Sequence, residues 1–474
     1  MTLTRRFLLR GAIAVVAQPT LAGCGIRDVA INDVVRPEDF GGRAVAGFDN
    51  VETFRKTFEA ASRLGCGVRL GPGTYDLSSA ALLAGALRRP SNVALSGAGR
   101  TATTLRVVGE RVINQVFDAS GSSNVVTSDL RLVGNGIKDD AAPYAGGLMA
   151  AILATDARAD MTGIRFDQCD IEGFASAAWF NVQNLSANHT ISNIASTGCN
   201  WISTPGSAPQ ASAITVPGHF IYLNGAAGPV RNVKIDDGEM NARYAKGGVA
   251  LVGNVTDADI AIDRLVEPGL ALYQLGQPDG PGAYGIMLYQ KPSGAPQRVS
   301  IRIQSLIDAR GVGVYCAGGR DVTINIQNAS GQRDTRDQTL PKGILVILAG
   351  KNVRARLGTV LDSNRVVMLS LDGGQDLGEK AMNVEFDIQL DDVRSRSGAR
   401  DISIDAGVSP WTGGVTIRGN RAGPAAVGVD LRASPTAGLQ DIDLSMLRNI
   451  GAVVPIVMPA QRRGRSRRLT LPGN

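Results

Sequence analysis

The chain has 474 residues, of which 44% are hydrophobic, 5% are aromatic, 58 are glycine and two are histidine. A long chain with few aromatics and much glycine favours many short strands joined by tight turns, and it argues against a helical bundle. The formal net charge is +6, but arginines near the two ends carry it, and the rest of the chain is slightly acidic. We therefore expect no nucleic-acid partner.

Residues 1–24 predict an export signal with a lipobox. The stretch "LTRRFLLRGAIAVVAQPTLAGC" has a charged start, a short apolar run and small residues before a break, and the apolar run is too short to span a bilayer. Its beginning resembles the twin-arginine export motif, and "LAGC" resembles a bacterial lipobox in which Cys24 is lipidated. We expect an exported protein of the periplasm, outer membrane or cell surface, bound to the membrane through Cys24. An ordinary leader with an incidental cysteine is the alternative.

Residues 25–89 predict an N-terminal strand and a helix that leads into a larger fold. The stretch "NVETFRKTFEAASRLG" places Val51, Phe54, Phe58, Ala61 and Leu64 on one helical face, with Asp49 or Asn50 as the N-cap. An amphipathic helix in this place can cover the open edge of a sheet. Its predicted role is a cap.

Residues 90–460 repeat a short pattern. A turn residue is followed by Val or Ile alternating with polar residues, as in "SNVALSG", "VRNVKIDDGEM", "QRVSIRIQSLID" and "RDVTINIQNAS". Many copies are joined by a second strand that opens on a small residue, such as "GGVALVGN" and "KGILVILAG". About a dozen such copies without intervening helices predict a parallel β-helix, in which each coil buries its apolar face against its neighbours.

Two N-terminal motifs carry a resemblance to a known family. "LGPGTY" at residues 70–75 and "SNVALSGAG" at residues 91–99 resemble the N-terminal segment of the pectate-lyase-like right-handed β-helix superfamily. The resemblance implies an all-β fold, a right-handed parallel β-helix with an N-terminal capping helix, and a polysaccharide as partner. The superfamily includes polysaccharide lyases, glycoside hydrolases, uronate epimerases, tailspikes and proteins of no known activity, as monomers or homotrimers, so the reaction must be inferred from the residues.

Candidate site residues follow from strand alternation, because outward residues of successive coils stack about 4.8 Å apart. If the Val and Ile pairs face inward, two outward columns are predicted. The first contains Arg165, Lys234, Ala261, Arg302, Asn325 and Asp387, and the second contains Asp167, Asp236, Asp263, Gln304, Gln327 and Gln389. The basic residues are candidates for binding uronate carboxylates, and Asp167, Asp236 and Asp263 are candidates for a Ca²⁺ site or for acid and base catalysis. The alternative is a solvated face whose opposite charges offset each other.

The second strand of each coil predicts an aromatic column. Alternation places Tyr222, Ala250, Met287 and Tyr315 on its outer face, with Trp179 in the coil before. Exposed rings at coil spacing suit sugar rings, while packing under a long loop is the alternative. The next outward column is predicted to contain Asn181, Asn224, Val252 and Tyr289.

His219 opens the strand "HFIYLNG" after a long loop rich in proline and serine. Histidine is the usual base near neutral pH, so His219 with Tyr222, or with Arg243 and Tyr244 of the following loop, is a candidate proton-transfer group. Strict alternation turns His219 inward, which favours a structural role. The adjacent acids Asp236 and Asp237 are not expected to be a catalytic pair, because Asp237 is predicted at the bend before Gly238.

Three functions remain open from the sequence. A polysaccharide lyase, or a related epimerase, needs a cation on the uronate carboxylate and a base, for which His219, Tyr222, Lys234 and Asp236 are the candidates. A hydrolase needs two carboxylates at a set spacing, but the Gly-His-Gly motif of polygalacturonase-like enzymes is broken here by Phe220. A non-catalytic glycan-binding or envelope protein is the third.

The remaining cysteines and the tail carry weaker signals. Cys66, Cys169, Cys199 and Cys316 match no zinc or redox spacing, so we expect buried free thiols, although export permits disulfides. Residues 461–474 are rich in arginine and are predicted to be a disordered basic tail. No cofactor is predicted apart from the possible Ca²⁺.

Overall fold

The computed structural model describes the greater part of the chain from Val34 onward. The described residues are 34–137, 145–153, 159–205, 218–268, 284–309, 311–331, 343–370, 384–395, 400–405, 413–422, 427–432, 440–443, 445, 447–450, 454–457 and 467–470. The predicted export signal with Cys24 lies outside them.

The N-terminal part contains a 3-10 turn at Pro37–Phe40, helix α1 at Val51–Leu64 and helix α2 at Ser79–Ala84. Helix α1 begins where the Val51 amide donates to Asp49 Oδ1 at 3.1 Å, and it ends at Gly65, whose φ of 67° is left-handed. Its predicted apolar face is buried except for Leu64, which is 64% exposed at the helix end.

Strands occupy most of the rest. The first fifteen are β1 (Val34–Val35), β2 (Gly67–Arg69), β3 (Gly73–Ser78), β4 (Leu87–Arg88), β5 (Ala94–Ser96), β6 (Thr103–Val108), β7 (Gln115–Asp118), β8 (Val125–Ser128), β9 (Arg131–Val133), β10 (Gly147–Leu153), β11 (Met161–Asp167), β12 (Asp170–Glu172), β13 (Ala178–Asn184), β14 (Ile191–Thr197) and β15 (Asn200–Ile202). The following ones are β16 (His219–Asn241), β17 (Gly247–Val266), β18 (Tyr284–Tyr289), β19 (Gln297–Ile307), β20 (Val312–Ser330), β21 (Gly343–Ser363), β22 (Val367–Ser370), β23 (Val384–Ser395), β24 (Arg400–Asp405), β25 (Gly413–Ala422), β26 (Val427–Arg432), β27 (Gln440–Asp443), β28 (Leu447–Ile450), β29 (Val454–Val457) and β30 (Arg467–Thr470).

These strands form three parallel sheets that run side by side along the chain. Sheet I begins with β1, β2, β5, β8, β11 and β14. Sheet II begins with β4, β7, β10 and β13, and sheet III begins with β3, β6, β9, β12 and β15. The chain visits sheet II, sheet I and sheet III in turn and then repeats, so the fold is a parallel β-helix, as predicted. The handedness, the number of coils and the capping role of α1 stay predictions.

From β16 onward, single long strands pass through more than one sheet. In β16 the start pairs with β13 in sheet II, the middle pairs with β14 in sheet I, and the end pairs with β15 in sheet III. β17 pairs with β16 over this whole course, with a register shift between Gly225 and Val230. Each of these coils therefore bends twice within a single long strand.

The core lies inside the three sheets and is built from stacked apolar side chains. In sheet I, Val233 and Ile235 of β16 lie opposite Ala258 and Ile260 of β17, and each of the four is at most 2% exposed. Because equivalent residues stack from coil to coil, the alternating pattern of the sequence becomes a continuous apolar interior. Helix α1 adds its buried face to the same core.

The bend between sheets II and I is made by residues with a left-handed backbone. Asn92, Asn124, Asn193 and Asn232 stand at this bend in different coils, with φ between 54° and 61°. The side-chain Nδ2 of Asn232 donates to Asn193 Oδ1 at 3.3 Å, and the side-chain Nδ2 of Asn193 donates to Thr162 Oγ1 at 2.8 Å. Asparagine tolerates this conformation better than most residues do. These asparagines form what we call the asparagine ladder, in which Asn193 and Asn232 hydrogen-bond through their side-chain amides to a side chain of the preceding coil.

The C-terminal region differs from the predicted disordered tail. β30 lies within residues 461–474 and pairs in parallel with β27 in sheet I, so the sheet continues past the predicted end of the solenoid. Leu469 lies opposite Ile442 in the register of this pair. In the part of the chain that the structure describes, no helix is long and apolar enough to span a membrane.

Candidate functional site

The corner where the chain passes from sheet III back to sheet II holds several of the predicted site residues. His219 is the first residue of β16, Gly247 of β17 and Tyr284 of β18, and His219 pairs with Gly247. A Cβ on Gly247 would lie 3.0 Å from His219 Cδ2 and would overlap the Tyr284 carbonyl oxygen. The glycine therefore leaves the space that lets the imidazole reach across one coil to Tyr284.

His219 is a buried, neutral histidine. It is 5% exposed, and its ring hydrogen-bonds the Tyr284 backbone, while Nε2 has no partner among the described residues. Burial, and next the positive charge of Lys246, lower the pKa of His219 to about 3, against the effect of the Tyr284 hydrogen bond. At neutral pH the ring therefore keeps a lone pair on Nε2.

Lys246 lies beside His219 in the loop that precedes β17. It is half-buried, and burial lowers its pKa. No carboxylate of the described residues pairs with it. A half-buried cation with no counter-ion among the described residues can bind an anion, because a bound anion offsets the cost of burying the charge.

Arg243 and Tyr244 belong to the same loop. Arg243 is exposed, its Nε lies 3.5 Å from Glu267 Oε2, and its guanidinium lies 5.7 Å from the centre of the Tyr244 ring. The Tyr244 amide donates to Ser203 Oγ at 2.9 Å. The structure therefore brings the predicted residues His219, Arg243 and Tyr244 to one corner, together with Lys246.

Aromatic residues follow on the outer face of sheet II. Tyr222, Ala250, Met287 and Tyr315 stack in one column, as predicted. The rings of Tyr284 and Tyr315 stack in parallel, with centres 4.1 Å apart and planes 3° apart. Tyr222 and Tyr284 are half-buried, whereas Tyr315 is only 7% exposed, and burial raises the pKa of Tyr315 above its usual range. Tyr315 therefore packs against the Tyr284 ring and is not available as an exposed sugar-binding ring.

The predicted position of Trp179 is wrong. Its side chain is fully buried, and its ring centre lies 4.6 Å from that of Phe220 and 6.5 Å from that of Trp201. Phe180 beside it is also buried, so two consecutive residues face inward. The strand starts at a corner there, which breaks the alternation that the prediction assumed.

The second predicted column of sheet II is wrong at its first member, by two residues along the strand. Asn181 pairs with Tyr222, and Gln183 pairs with Asn224, so Asn181 lies in the column of Tyr222. Val252 and Tyr289 continue the column of Asn224, as predicted.

Lys234 and Asp236 lie on a different sheet from His219 and Tyr222. The first pair is in the sheet I part of β16 and the second in its sheet II part. Lys234 Nζ lies 3.5 Å from Asp236 Oδ2, and both side chains are more than half exposed, at 58% and 54%. The predicted catalytic set is therefore divided between two outer faces.

The charged columns of sheet I are paired within the protein. Arg165 Nε lies 3.0 Å from Asp167 Oδ2, and Arg302 donates two hydrogen bonds to Asp259, at 2.8 and 3.0 Å. Burial raises the pKa of Asp167, with Arg165 opposing it and Asp129 adding to it. These contacts fit the alternative of a self-neutralised face.

The predicted register of these columns is wrong at two places. Lys234 pairs with Asp259, and Asp236 with Ala261, so Asp263 is not one coil from Asp236. The inward pair is Ala258 and Ile260, and matching on Val and Ile alone overlooks the small Ala258. Farther on, Asn325 pairs with Arg356 and Asp387 pairs with Arg354, so Asn325 and Asp387 lie in different columns.

The predicted Ca²⁺ site is not assembled from its three carboxylates. Thr197 lies between Asp167 and Asp236 in the column, and Asp263 is out of register. Within the described ranges, no group of three or more His, Cys, Asp or Glu side chains is arranged to hold a metal ion.

The sequence analysis missed Lys246 and Tyr284. Tyr284 carries a signal that could have been used, because it opens its strand after a long loop in the same way as His219 does. Lys246 carries none, since its place beside His219 depends on which residue of β17 pairs with the start of β16.

No family model matches this chain, and no curated protein matches it. Among solved structures, the A-module of the mannuronan C-5 epimerase AlgE4 from Azotobacter vinelandii is 14% identical over 90% of this chain and 98% of that one, with a TM-score of 0.43. The surface adhesin PfbA of Streptococcus pneumoniae is 10% identical over 88% and 93%, with a TM-score of 0.47. The catalytic unit of an α-1,3-glucanase from Streptomyces thermodiastaticus is 15% identical over 89% and 69%, with a TM-score of 0.38. These values are too low to assign a family or an activity to this chain.

Proposed function

We propose that this protein is an exported carbohydrate-active β-helix protein that removes the C5 proton of a uronate in an acidic polysaccharide, as a polysaccharide lyase or a related epimerase. The observation that carries the proposal is the placement at one corner of His219, whose buried Nε2 has no partner among the described residues, and Lys246, which precedes the residue paired with His219 and which no described carboxylate neutralises. Carbon-acid chemistry needs this combination of a base and a cation.

Lys246 binds the uronate carboxylate in this proposal. Its charge stabilises the negative charge that develops when the C5 proton leaves, and His219 Nε2, which is buried in this structure, accepts that proton after substrate binding uncovers it. Because Lys246 lowers the pKa of His219, a carboxylate bound to Lys246 removes part of this effect and makes the imidazole a stronger base when substrate is present. In a lyase the C4–O bond then breaks, and in an epimerase a proton returns to the other face of C5.

Substrate binding extends to the neighbouring residues. Arg243 and Tyr244 lie in the loop of Lys246, and Tyr222 and Tyr284 present half-buried rings on the outer face of sheet II. Aromatic rings stack on the C–H faces of sugars. A lipid anchor at Cys24, a place at the cell surface, and a monomeric or homotrimeric state remain parts of the proposal that follow from the sequence.

The test is incubation of the purified chain with a panel of uronate-containing and neutral polysaccharides. A lyase gives the ultraviolet absorbance of unsaturated chain ends, an epimerase changes the uronate configuration seen by NMR, and a hydrolase gives reducing ends without that absorbance. We expect His219→Gln and Lys246→Met each to lower kcat/KM by about 100-fold or more.

Two matched variants serve as controls. His189→Gln alters the other histidine, which lies 3.5 Å from Asp160, and Lys234→Met removes the exposed lysine of sheet I; both should keep full activity. Loss of activity in Lys234→Met, with activity kept in Lys246→Met, would move the reaction to sheet I. Turnover unchanged in His219→Gln would exclude His219 as the base.

A glycoside hydrolase is the second candidate, and one observation favours it. Val266 pairs with Ile307, so the residues that follow them, Glu267 and Asp308, occupy equivalent positions in neighbouring coils near the same corner. Carboxylates about 5 Å apart fit a retaining hydrolase. Reducing ends that disappear in both Glu267→Gln and Asp308→Asn would support this reaction, while binding without any product would support a glycan-binding protein.

A further inference from the structure

Two of the buried thiols lie on top of each other in neighbouring coils. Cys169 directly precedes β12 and Cys199 directly precedes β15, and these strands pair with Asp170 opposite Asn200. The Cys169 amide donates to Cys199 Sγ at 3.5 Å, and each thiol donates to a backbone carbonyl oxygen, Cys169 to that of Asp167 and Cys199 to that of Thr197. Both side chains are fully buried and face the core.

The backbone around these thiols has the spacing that a disulfide needs. Neighbouring strands lie about 4.7–4.9 Å apart, which falls inside the Cα separation of about 4.4–6.8 Å found in disulfides. Both thiols point to the same side of the sheet, so a bond between them requires new side-chain rotamers and a small backbone shift that brings the Cβ atoms from the strand spacing to the roughly 3.5–4.5 Å found in disulfides. Cys66 and Cys316 are buried elsewhere in the core.

We propose that Cys169 and Cys199 form a disulfide when the chain folds in an oxidising compartment. The oxidant is a disulfide, either of a small molecule such as glutathione or of a protein: one thiolate attacks it to give a mixed disulfide, and the second thiolate displaces the reduced oxidant. Two Cys hydrogens leave as protons, one S–S bond forms, and the oxidant is reduced to two thiols. Because both residues are buried in the folded protein, the bond forms during folding.

The disulfide links two neighbouring coils, and the strand β16 that carries His219 stacks on the second of them. Its two cysteines are 30 residues apart, and the amide of Cys199 donates to Asp237 Oδ1 of β16 at 3.0 Å. A cross-link here removes freedom from the unfolded chain and ties together the coils on which β16 stacks. The inference does not depend on the reaction proposed above.

The test is a thiol count on the full chain made by cell-free synthesis with oxidised and reduced glutathione present. Folded, protease-resistant protein is denatured without reductant, alkylated and mapped by mass spectrometry. Of the five cysteines in the sequence, we expect alkylation of Cys24, Cys66 and Cys316, and one linked peptide pair that contains Cys169 and Cys199. The oxidised protein should also unfold at a higher urea concentration than protein folded in reductant.

Variants at the other cysteines give the matched control. Cys66→Ala and Cys316→Ala should keep the linked peptide pair, whereas Cys169→Ala and Cys199→Ala should lose it and leave the four remaining thiols alkylated. Alkylation of all five cysteines in the folded wild-type protein would overturn the proposal. A link that joins Cys169 or Cys199 to any other cysteine would overturn it as well.

Discussion

Asp237 points into the interior of the solenoid, although its neighbour Asp236 faces solvent. The side chain is 3% exposed and accepts hydrogen bonds from Ser196 Oγ at 2.6 Å, from the Cys199 amide at 3.0 Å and from Trp201 Nε1 at 2.9 Å. The predicted bend position is therefore wrong. Burial of a carboxylate is costly when it has no partner, but three donors from the preceding coil meet this one.

We expect the stability that Asp237 confers to depend on pH. Burial raises its pKa from 3.8 to about 6, against the three hydrogen bonds, so the folded state holds a proton between these pH values that the unfolded state has lost. The free energy of unfolding therefore falls as pH rises through this window. Relative to Asp237→Asn, which stays neutral, the wild-type protein should lose about 2 kcal/mol between pH 4 and pH 7.

Urea unfolding of both proteins at several pH values measures this difference. The comparison cancels the contribution of other groups, including that of His219, whose lowered pKa acts in the opposite direction because the unfolded histidine binds a proton that the folded one does not. A difference that stays constant from pH 4 to pH 7 would show that Asp237 does not titrate as described.

At the scale of elements, the asparagine ladder sets where each coil turns. Asn193 has a φ of 56° and Asn232 a φ of 54°, and their side chains bond along the column. Gly163 takes the same role one coil earlier with a φ of 70°, where a Cβ would lie 2.6 Å from Asn124 Oδ1. The turn needs a residue that tolerates a left-handed backbone, and asparagine adds a hydrogen bond that glycine lacks.

Substitutions at Asn193 separate these two effects. Asn193→Ala loses the hydrogen bonds and keeps a Cβ in the left-handed region, whereas Asn193→Gly loses the hydrogen bonds and also removes that Cβ. We expect the glycine variant to be more stable than the alanine variant by about 1 kcal/mol, and both to be less stable than the wild type. Urea unfolding checks this order, and equal stability of the two variants would contradict it.

At the scale of the whole molecule, each coil pairs its strands with those of its two neighbours, so stability depends on how the ends are closed. Helix α1 buries Phe54 against Phe58 and Tyr75, with ring centres 6.0 and 6.1 Å apart. In such a stack, loss of an end contact frees the first coils before the others. If α1 caps the solenoid as predicted, weakening its packing should loosen the N-terminal coils first.

Phe54→Ala tests the cap. The substitution leaves a cavity under α1 and should cost about 3–5 kcal/mol, with hydrogen exchange becoming faster in β1–β5 and unchanged in β20 and β21. Ile301→Ala in β19 is the matched control, because it creates a core cavity in the middle of the solenoid and should speed exchange in the neighbouring coils. Faster exchange spread evenly over the chain in Phe54→Ala would show that α1 has no special role at the end.

The sequence by itself determined the parallel β-helix, because alternating apolar residues, turn residues and the absence of helical spacing between them are local properties of the chain. It also identified α1, and it singled out His219 with Arg243 and Tyr244 as neighbours along one strand and loop. These predictions need no knowledge of which residues pair between coils.

Only the tertiary structure decided what depends on register and on corners. A small inward residue, Ala258, shifts the pairing of Lys234 from Ala261 to Asp259, and a strand start at a corner turns Trp179 into the core. The place of Lys246 beside His219 and the stack of Cys169 on Cys199 also follow from pairing between coils. Apolar alternation repeats every two residues, so it allows several registers, and the packing of whole coils selects one of them.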